Sequence, residues 1–170
     1  MNLKTFIRDI HDFPTTGVVF RDITPLLKDP KAIKYTEEAL LDLVGNQKVD
    51  KVVGMESRGF FFAPMLAARL NAGFVPVRKP GKLPFATMRQ DYDLEYGSDA
   101  LEMHSDAIIA GDKVLVHDDV LATGGTAQAT CRLIEKMGGE IVQCNFLLEL
   151  DFLKGKDKLG DFEVKSLLHY

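Results

Sequence analysis

The sequence has 170 residues, of which 46% are hydrophobic and 27% charged, and its formal net charge is −4 at pH 7. These values predict a single globular domain with a substantial core, and they argue against a general nucleic-acid binder, which would normally be basic. No stretch approaches membrane-spanning length, and charged residues interrupt residues 1–13, so we expect no signal peptide there. Cys131 and Cys144 fit no metal spacing, which predicts buried, reduced thiols in a cytosolic protein.

The first part of the chain predicts two helices with a strand between them. Leu3–Ile10 can form a short amphipathic helix, which the Pro- and Gly-containing segment 12–17 ends. Gly17–Leu27 predicts an edge strand followed by a turn, with Phe20 in the core. Asp29 and Pro30 open a predicted helix to about Val44, because proline suits a first helical turn and apolar residues recur at helical spacing.

The next stretch predicts a βαβ unit. Lys51–Met55 is a short apolar run of β-type residues, Phe60–Leu70 is apolar and helical, and Gly73–Arg78 is a second strand. Pro76 disfavours a central place for that second strand, because proline cannot donate to the ladder. The turn between the first strand and the helix contains Arg58, and surface arginines are common at turns.

A basic loop and a hairpin follow. Residues 78–89 contain four cations and no acid, together with two prolines and a glycine, which predicts a loop. Such a loop is either a solvated surface or a source of positive charge over a polyanionic substrate. Residues 91–97 and 100–104 are predicted to be the two arms of a hairpin.

Residues 113–127 predict a ligand site. Apolar β-type residues lead into Asp118 and Asp119, then a turn at Thr123–Thr126 and a helix from Ala127 to Met137. A glycine turn before a helix aims backbone N–H groups and the helix dipole at an anion, whereas the carboxylates suit sugar hydroxyls and a divalent cation. The combination favours a phosphorylated sugar, although a Gly-Gly turn can be a plain connection and paired aspartates often cap the next helix. The Walker and dinucleotide-binding patterns are both absent from the sequence.

The C-terminal part predicts two more strands. Gly138 and Gly139 end the central helix, Glu140–Leu150 is a further strand of the sheet, and Phe162–Leu168 is a last edge strand. The charged stretch Asp151–Asp161 between them predicts a solvated turn. The four histidines form neither a triad nor a metal-binding spacing. The order of elements predicts an α/β fold.

Three blocks of the sequence resemble one enzyme family. Residues 113–127 resemble the phosphoribosyl-diphosphate-binding motif of type I phosphoribosyltransferases, which is four hydrophobic residues, two acids and a Thr-Gly-Gly-Thr turn; His117 stands where the family usually has Val or Ile. Gly17–Leu27 resembles the base-binding hood of the adenine phosphoribosyltransferases. Tyr92–Gly97 matches that family's Tyr-x-Leu-Glu-Tyr-Gly block in the lid.

The resemblance implies a fold and a reaction. The fold is that of the type I phosphoribosyltransferases, a central, mainly parallel sheet flanked by helices in one domain, 1–170, with an N-terminal base-binding hood at about 12–28 and a mobile lid hairpin at about 79–104. The reaction transfers the 5-phosphoribosyl group from 5-phosphoribosyl 1-diphosphate to adenine, giving AMP and diphosphate, with Mg²⁺ as cofactor. The resemblance also implies a homodimer. A cytoplasmic location without nucleic-acid or membrane binding is expected from the cysteines, the net charge and the absence of a long apolar stretch.

The resemblance also assigns roles to residues. Glu95 occupies the acid/base position; without the match, it would be an ordinary exposed hairpin carboxylate. Asp118 and Asp119 hold the ribose hydroxyls and place Mg²⁺, directly or through water, and the Glu56–Ser57 peptide bond is expected to be cis. The residues expected to contact phosphoribosyl diphosphate are Arg58, Arg78, Lys79, Lys82, Asp118, Asp119, Ala122, Thr123, Gly124, Gly125 and Thr126. Those expected to contact adenine are Val19, Phe20, Arg21 and Val120.

Two alternatives stay open at this point. A salvage transferase for another purine base would share the central motif but not the hood. A regulator that senses phosphoribosyl diphosphate would usually add a DNA-binding domain, for which 170 residues leave no obvious room.

Overall fold

The computed structural model describes residues 1–93 and 97–170, and its contacts divide the chain into two compact units, residues 1–39 and 40–170. Among the described residues, no helix has both the length and the apolar character needed to cross a bilayer. A single domain over the whole chain, with a hood and a lid at the expected bounds, stays a prediction.

The N-terminal unit begins with a strand pair instead of the predicted helix. Leu3–Phe6 forms one 3₁₀ turn, after which strand β1 (Arg8–His11) pairs antiparallel with strand β2 (Val19–Asp22). The prediction of a helix over Leu3–Ile10 is therefore wrong, whereas the predicted strand within Gly17–Leu27 is confirmed. Opposite charges face each other across this strand pair. Arg8 pairs with Asp22, and Asp9 pairs with Arg21. Such cross-strand pairs stabilise a hairpin and leave no trace in the local periodicity.

Two helices follow in the chain, α1 (Thr24–Leu27) and α2 (Pro30–Val44). The predicted helix from Pro30 to Val44 is confirmed. Asp29 caps it, because its Oδ1 accepts hydrogen bonds from the backbone N–H groups of Lys31 at 2.9 Å and Ala32 at 2.8 Å. Proline at the first helical position completes a standard helix start.

The second unit carries the central sheet. Its strands are β3 (Lys51–Met55), β4 (Gly73–Val77), β5 (Thr87–Asp93), β6 (Ser98–His104), β7 (Lys113–Leu121), β8 (Glu140–Glu149) and β9 (Val164–His169), and its further helices are α3 (Ala63–Arg69) and α4 (Gly125–Lys136). Five strands form one parallel sheet in the order β4-β3-β7-β8-β9, which confirms the expected parallel architecture. Pro76 lies in β4, at an edge of this sheet, where proline is tolerated.

The core of this unit lies between the sheet and its covering elements. The fully buried apolar side chains come mainly from the central strands and from α4; they include Val53, Met55, Val116, Leu133, Ile134, Cys144 and Phe146. The uninterrupted apolar runs of these strands are typical of a parallel sheet that is covered on both faces. The helix expected over Phe60–Leu70 starts later than predicted: Arg58–Phe60 is a 3₁₀ turn, and α3 begins at Ala63.

The predicted hairpin is confirmed as the antiparallel pair of β5 and β6, but its bounds differ from the prediction. The first arm begins at Thr87, inside the predicted loop of residues 78–89, and the second begins at Ser98. Its base is tied to the end of β4, because Arg78 N donates to Glu102 O at 3.0 Å and Glu102 N donates to Arg78 O at 2.8 Å. The hairpin tip, residues 94–96, lies outside the described residues. That this hairpin moves as a lid stays a prediction.

The prediction of a plain solvated turn over Asp151–Asp161 is wrong. Two 3₁₀ helices occupy this stretch, Asp151–Leu153 and Gly155–Leu159. Leu159 is only 2% exposed and belongs to the core, and Gly155 is also buried. The sequence did not indicate that Gly155 and Leu159 are buried, because exposed lysines and aspartates surround both residues.

Candidate active site

The predicted acids lie in the middle of the sheet at its carboxyl edge. Strand β7 extends to Leu121 and therefore contains Asp118 and Asp119. The neighbouring strand β3 ends at Met55, so the turn after it comes to the same edge, as parallel strands require. In this turn Arg58 lies beside the acids, with its Nε 3.0 Å from Asp119 Oδ2. The structure thus brings together two blocks that are far apart in the sequence.

Gly59 explains how closely the turn approaches the acids. A Cβ atom added at this glycine would lie 2.9 Å from Asp118 Oδ1 and 3.1 Å from His117 O. Such a Cβ atom would press on the Asp118 carboxylate and crowd the His117 carbonyl oxygen, so glycine is what allows this close approach without a shift of either strand or turn. The turn and the strand are therefore in backbone contact at this position.

The two carboxyl groups are held in an environment that disfavours charge. Asp119 is 2% exposed and Asp118 is half-buried. Burial raises the pKa of Asp118 well above its usual range, and the Asp119 carboxylate raises it further. Burial also raises the pKa of Asp119, although the Arg58 guanidinium opposes that rise. A cation or a set of hydroxyl donors in this place would relieve the repulsion between the acids.

One oxygen of this pair fits an external ligand. Among the described residues, Asp119 Oδ2 is buried and accepts no hydrogen bond of good geometry, even though Arg58 lies 3.0 Å away. Asp118 Oδ1 accepts a hydrogen bond from the Asp119 backbone N–H at 2.9 Å. Because Mg²⁺ and sugar hydroxyls both seek oxygen acceptors, these two carboxyl groups suit either of them.

The loop between β7 and α4 forms a small cavity. Its volume is about 80 Å³, and it is lined by Asp118, Val120, Leu121, Ala122, Thr123, Gly124, Gly125, Thr126 and Ala127. Gly124 adopts a φ of +78° at the start of α4, a left-handed conformation that favours glycine. The helix start has no side-chain cap among the described residues, so its N–H groups are positioned to bind an anion. All five predicted loop residues line this cavity.

The predicted basic residues lie next to the turn that holds Arg58. Glu56 Oε1 lies 2.5 Å from Lys82 Nζ and 3.3 Å from Arg78 Nη2, and Glu56 Oε2 accepts a hydrogen bond from the Lys79 backbone N–H at 3.0 Å. Partial burial acts to raise the pKa of Glu56, but the hydrogen bonds from Lys82, the Lys79 N–H and Arg78 lower it to about 2. The Lys79 ammonium pairs with Asp99.

Glu56 was not identified from the sequence as the acid that binds Arg78, Lys82 and the Lys79 N–H. Its place in the turn after a buried strand, beside Arg58, was the available signal. The Glu56–Ser57 peptide bond is cis, as the resemblance implies.

His117 lies on β7 outside the lining of the cavity. It is fully buried, its Nδ1 lies 2.6 Å from Asn145 Oδ1, and its ring meets Phe62 edge to face. Burial lowers the pKa of His117 to about 4, while the contact with Asn145 opposes that shift. The imidazole is therefore neutral, which explains how a polar residue replaces the usual Val or Ile.

The remaining site predictions are not tested by the geometry. Glu95 lies outside the described residues. The adenine candidates Val19, Phe20 and Arg21 lie on β2 in the N-terminal unit, where the Phe20 ring packs against Phe13 at 5.2 Å between centroids. Their roles stay predictions.

A second acidic group lies elsewhere on the sheet edge. Glu149, Asp151 and His169 approach one another at the ends of β8 and β9. They bind each other and their neighbours, since His169 Nδ1 lies 2.9 Å from Asp151 Oδ1 and Ser166 Oγ donates to Glu149 Oε2 at 2.9 Å. These contacts account for the cluster without a metal ion.

Comparison with known proteins identifies the relatives of this chain. Residues 23–166 match the family described as Phosphoribosyl transferase domain. The adenine phosphoribosyltransferase of Christiangramia forsetii is 65% identical over 170 residues, which cover 100% of this chain and 99% of that protein. The adenine phosphoribosyltransferase of Flavobacterium johnsoniae is 58% identical, with 100% of both chains covered.

Solved structures agree with this assignment. The adenine phosphoribosyltransferase from Thermoanaerobacter pseudethanolicus superimposes with a TM-score of 0.97 at 49% identity, covering 99% of this chain and 98% of that one. The enzyme from Saccharomyces cerevisiae, complexed with adenine and an imino-altritol bisphosphate, gives 0.92 at 42% identity, with 98% and 96% covered. With its parallel five-stranded sheet and the acid-loop-helix segment at the sheet edge, the chain belongs to the adenine phosphoribosyltransferase family and has the type I phosphoribosyltransferase fold.

Proposed function

We propose that this protein is a purine salvage enzyme that transfers the 5-phosphoribosyl group from 5-phosphoribosyl 1-diphosphate to adenine, giving AMP and diphosphate. The observation that carries this proposal is the cavity of residues 120–127 at the start of α4, with Asp118 at its rim. Relatives with 65% and 58% identity over the whole chain carry the name of this activity.

The 5-phosphate of the substrate binds in the loop cavity. Backbone N–H groups of Ala122–Thr126 and the positive end of the α4 dipole favour an anion there. The size of the cavity, about 80 Å³, suits a compact group such as a phosphate. No side-chain cation is needed for this step, in keeping with an acidic protein.

The ribose hydroxyls and Mg²⁺ meet the two acids. Asp118 and Asp119 supply carboxylate oxygens, and the buried Asp119 Oδ2 lacks a well-aligned donor among the described residues. When bound, Mg²⁺ neutralises charge on the diphosphate as a Lewis acid. With the ribose hydroxyls on these carboxylates, C1 of the ribose would lie near them, and their charge would stabilise the positive charge that develops at C1 as the diphosphate leaves.

The diphosphate binds to the cations of the turn after β3 and of the loop after β4. Arg58 pairs with Asp119, and Arg78 and Lys82 pair with Glu56. The polyanionic diphosphate competes with these carboxylates for the same cations. Lys79, which pairs with Asp99 of the hairpin, also binds the diphosphate. Charge-assisted hydrogen bonds of this kind hold the leaving group in line.

Adenine is recognised in the hood by the backbone near Val19 and Arg21, with Phe20 packed on the ring and Val120 beside it. A backbone carbonyl that accepts from the exocyclic amine selects adenine, because an oxopurine would leave that carbonyl unpaired at a cost of about 1–3 kcal/mol. The complex of the Saccharomyces cerevisiae relative with adenine supports this choice of base.

Glu95 is the general acid/base for the purine: it donates a proton to the imidazole side of the base, while N9 loses its proton and bonds to C1 of the ribose in place of the diphosphate. The hairpin of β5 and β6 closes before the bond to diphosphate breaks. Closure excludes water, which is the competing nucleophile. Positioned proton transfer is typically worth about 10²–10⁴-fold in rate. We expect Glu95→Gln to lower turnover at least tenfold with phosphoribosyl diphosphate binding near normal; equal turnover in the variant removes Glu95 from the mechanism.

The decisive assay mixes the protein with adenine, phosphoribosyl diphosphate and Mg²⁺ and measures AMP. A competition among adenine, hypoxanthine, guanine and xanthine distinguishes this enzyme from a transferase for another base. Binding of phosphoribosyl diphosphate without any product from the four bases would instead identify a regulator. Chelation of the metal with EDTA is expected to abolish turnover.

The proposal includes a cytoplasmic location and a homodimer. The thiols of Cys131 and Cys144 are buried and form no disulfide, although their Sγ atoms are in contact at 3.7 Å, and this supports a reducing compartment. The homodimer is supported by the family resemblance. Sedimentation at micromolar concentration measures it directly, and a single species of 18.9 kDa would contradict it.

A further inference from the structure

The segment after β8 lies directly against the phosphate loop. A Cβ atom added at Gly155 would lie 2.1 Å from Ala122 O and 2.9 Å from Gly124 N. In the reverse direction, a Cβ atom added at Gly124 would lie 2.2 Å from Gly155 O. Two stretches of backbone thus touch with no side chain between them.

Contact, and not backbone conformation, requires glycine at position 155. Gly124 has a positive φ of +78°, which already favours glycine, whereas Gly155 has no such conformation. An alanine could therefore adopt the backbone angles of Gly155, and only its methyl group would collide with the loop.

The segment that carries Gly155 is anchored at both ends. Leu159 is 2% exposed in the core, and Gln128 Nε2 of α4 donates to Lys158 O at 2.8 Å. On the other side, Leu150 N donates to Leu121 O at 2.9 Å. Because its neighbours are fixed, the glycine cannot easily retreat from the loop.

The contact sets the orientation of one peptide group in the loop. The Cβ position of Gly155 is 2.1 Å from Ala122 O but 3.0 Å from Ala122 C. The Ala122 carbonyl therefore points toward the glycine. In a trans peptide the N–H points opposite to the C=O, so the Thr123 N–H points away from Gly155. A reversed peptide would present a carbonyl oxygen in place of this donor.

We propose that Gly155 is a positioning residue of the phosphate site: it lets the Ala122 carbonyl point toward residue 155 and thereby turns the Thr123 N–H toward a bound phosphate monoester. The inference rests on the proposed function, because it takes the loop cavity to be the 5-phosphate site. Gly155 itself does not line that cavity. It acts through the loop and touches no substrate.

The test substitutes Gly155→Ala and measures the dissociation constants of ribose 5-phosphate and of adenine by calorimetry. We expect the dissociation constant of ribose 5-phosphate to rise at least tenfold, and that of adenine to change less than twofold. In steady-state kinetics the KM for phosphoribosyl diphosphate rises by a similar factor while kcat falls less than threefold. A purely structural role would lower the melting temperature and leave both dissociation constants at their wild-type values.

Two control variants match the change. Gly73→Ala removes a glycine of ordinary conformation whose added Cβ would meet only the flexible Lys51 side chain, at 3.2 Å. Lys156→Ala removes an exposed charge next to Gly155. Both are expected to bind ribose 5-phosphate within twofold of the wild-type protein.

A variant that adds no atoms keeps the inference testable if Gly155→Ala does not fold. Gln128→Ala removes the donor to Lys158 O, loosens the segment, and is expected to weaken ribose 5-phosphate binding about two- to fivefold. Unchanged affinity in folded Gly155→Ala, or in Gln128→Ala where the former does not fold, overturns the inference. A wild-type protein that neither binds ribose 5-phosphate nor forms AMP instead overturns the proposed function.

Discussion

The contact between Arg58 and Asp119 connects the stability of the site to its electrostatics. Arg58→Met keeps most of the volume of the side chain and removes its charge. Asp119, which is 2% exposed, then loses the cation at 3.0 Å that opposes its desolvation. An unpaired buried carboxylate is one of the costly states in a protein interior.

The burial of the pair sets the expected magnitude. Removing one partner of a fully buried ion pair costs about 3–5 kcal/mol. The Arg58 side chain is 32% exposed, so water screens part of the interaction, and we expect Arg58→Met to lower the free energy of unfolding by about 2–3 kcal/mol. Asp119→Asn leaves a cation that can turn to solvent, and we expect it to cost less than about 1 kcal/mol.

A double-mutant cycle measures the coupling. Urea unfolding at pH 7 without added metal gives the free energies of the wild-type protein, both single variants and Arg58→Met/Asp119→Asn. We expect the second substitution to recover about 1–2 kcal/mol in the Arg58→Met background, because no buried charge is then left unpaired. Strictly additive single effects, or Asp119→Asn costing more than Arg58→Met, would refute this reasoning.

Three further predictions concern the surroundings of the site. His117→Val is expected to be less stable than wild type at pH 7, because Asn145 loses its partner. The difference in the free energy of unfolding, measured in urea, should shrink by about 3 kcal/mol from pH 6.5 to pH 4, since His117 binds its proton more readily in the unfolded chain. Parallel curves for the two proteins would contradict the buried neutral imidazole. Glu56→Gln is expected to lower the free energy of unfolding by about 1 kcal/mol at pH 7, because its cationic partners are only partly buried. This loss should vanish as pH falls from 4.5 toward 2, where Glu56 becomes protonated in the wild-type protein, and a constant difference down to pH 2 would argue against its ion pairs. Gly124→Ala is expected to raise the KM for phosphoribosyl diphosphate at least tenfold and to cost about 1–2 kcal/mol from its left-handed conformation alone, and an unchanged KM would argue against the loop as the phosphate site.

Much of the site could be predicted because its chemistry is local in the sequence. The acids, the glycine turn and the start of α4 lie within residues 113–127, and each has a signal of its own type. The strand β4 is another example, since Pro76 argued against a central place for this strand and the structure has β4 at an edge of the sheet. Local patterns of this kind report directly on the elements that they build.

The features that escaped prediction depend on residues that are distant in the chain. Strand β1 forms because its charges meet those of β2, which no periodicity within residues 8–11 reveals. Glu56 gathers the cations of a loop that follows the next helix and strand. The backbone contact of Gly155 with the phosphate loop lies inside a stretch whose composition is typical of a solvated turn. Each of these requires the tertiary fold.

The most direct test is a crystal structure of this protein with ribose 5-phosphate. The account predicts that the phosphate lies in the cavity of Ala122–Thr126, within hydrogen-bonding distance of the backbone N–H groups, with the ribose hydroxyls at Asp118 and Asp119. A structure in which that cavity holds no phosphate while the ligand binds elsewhere would contradict it.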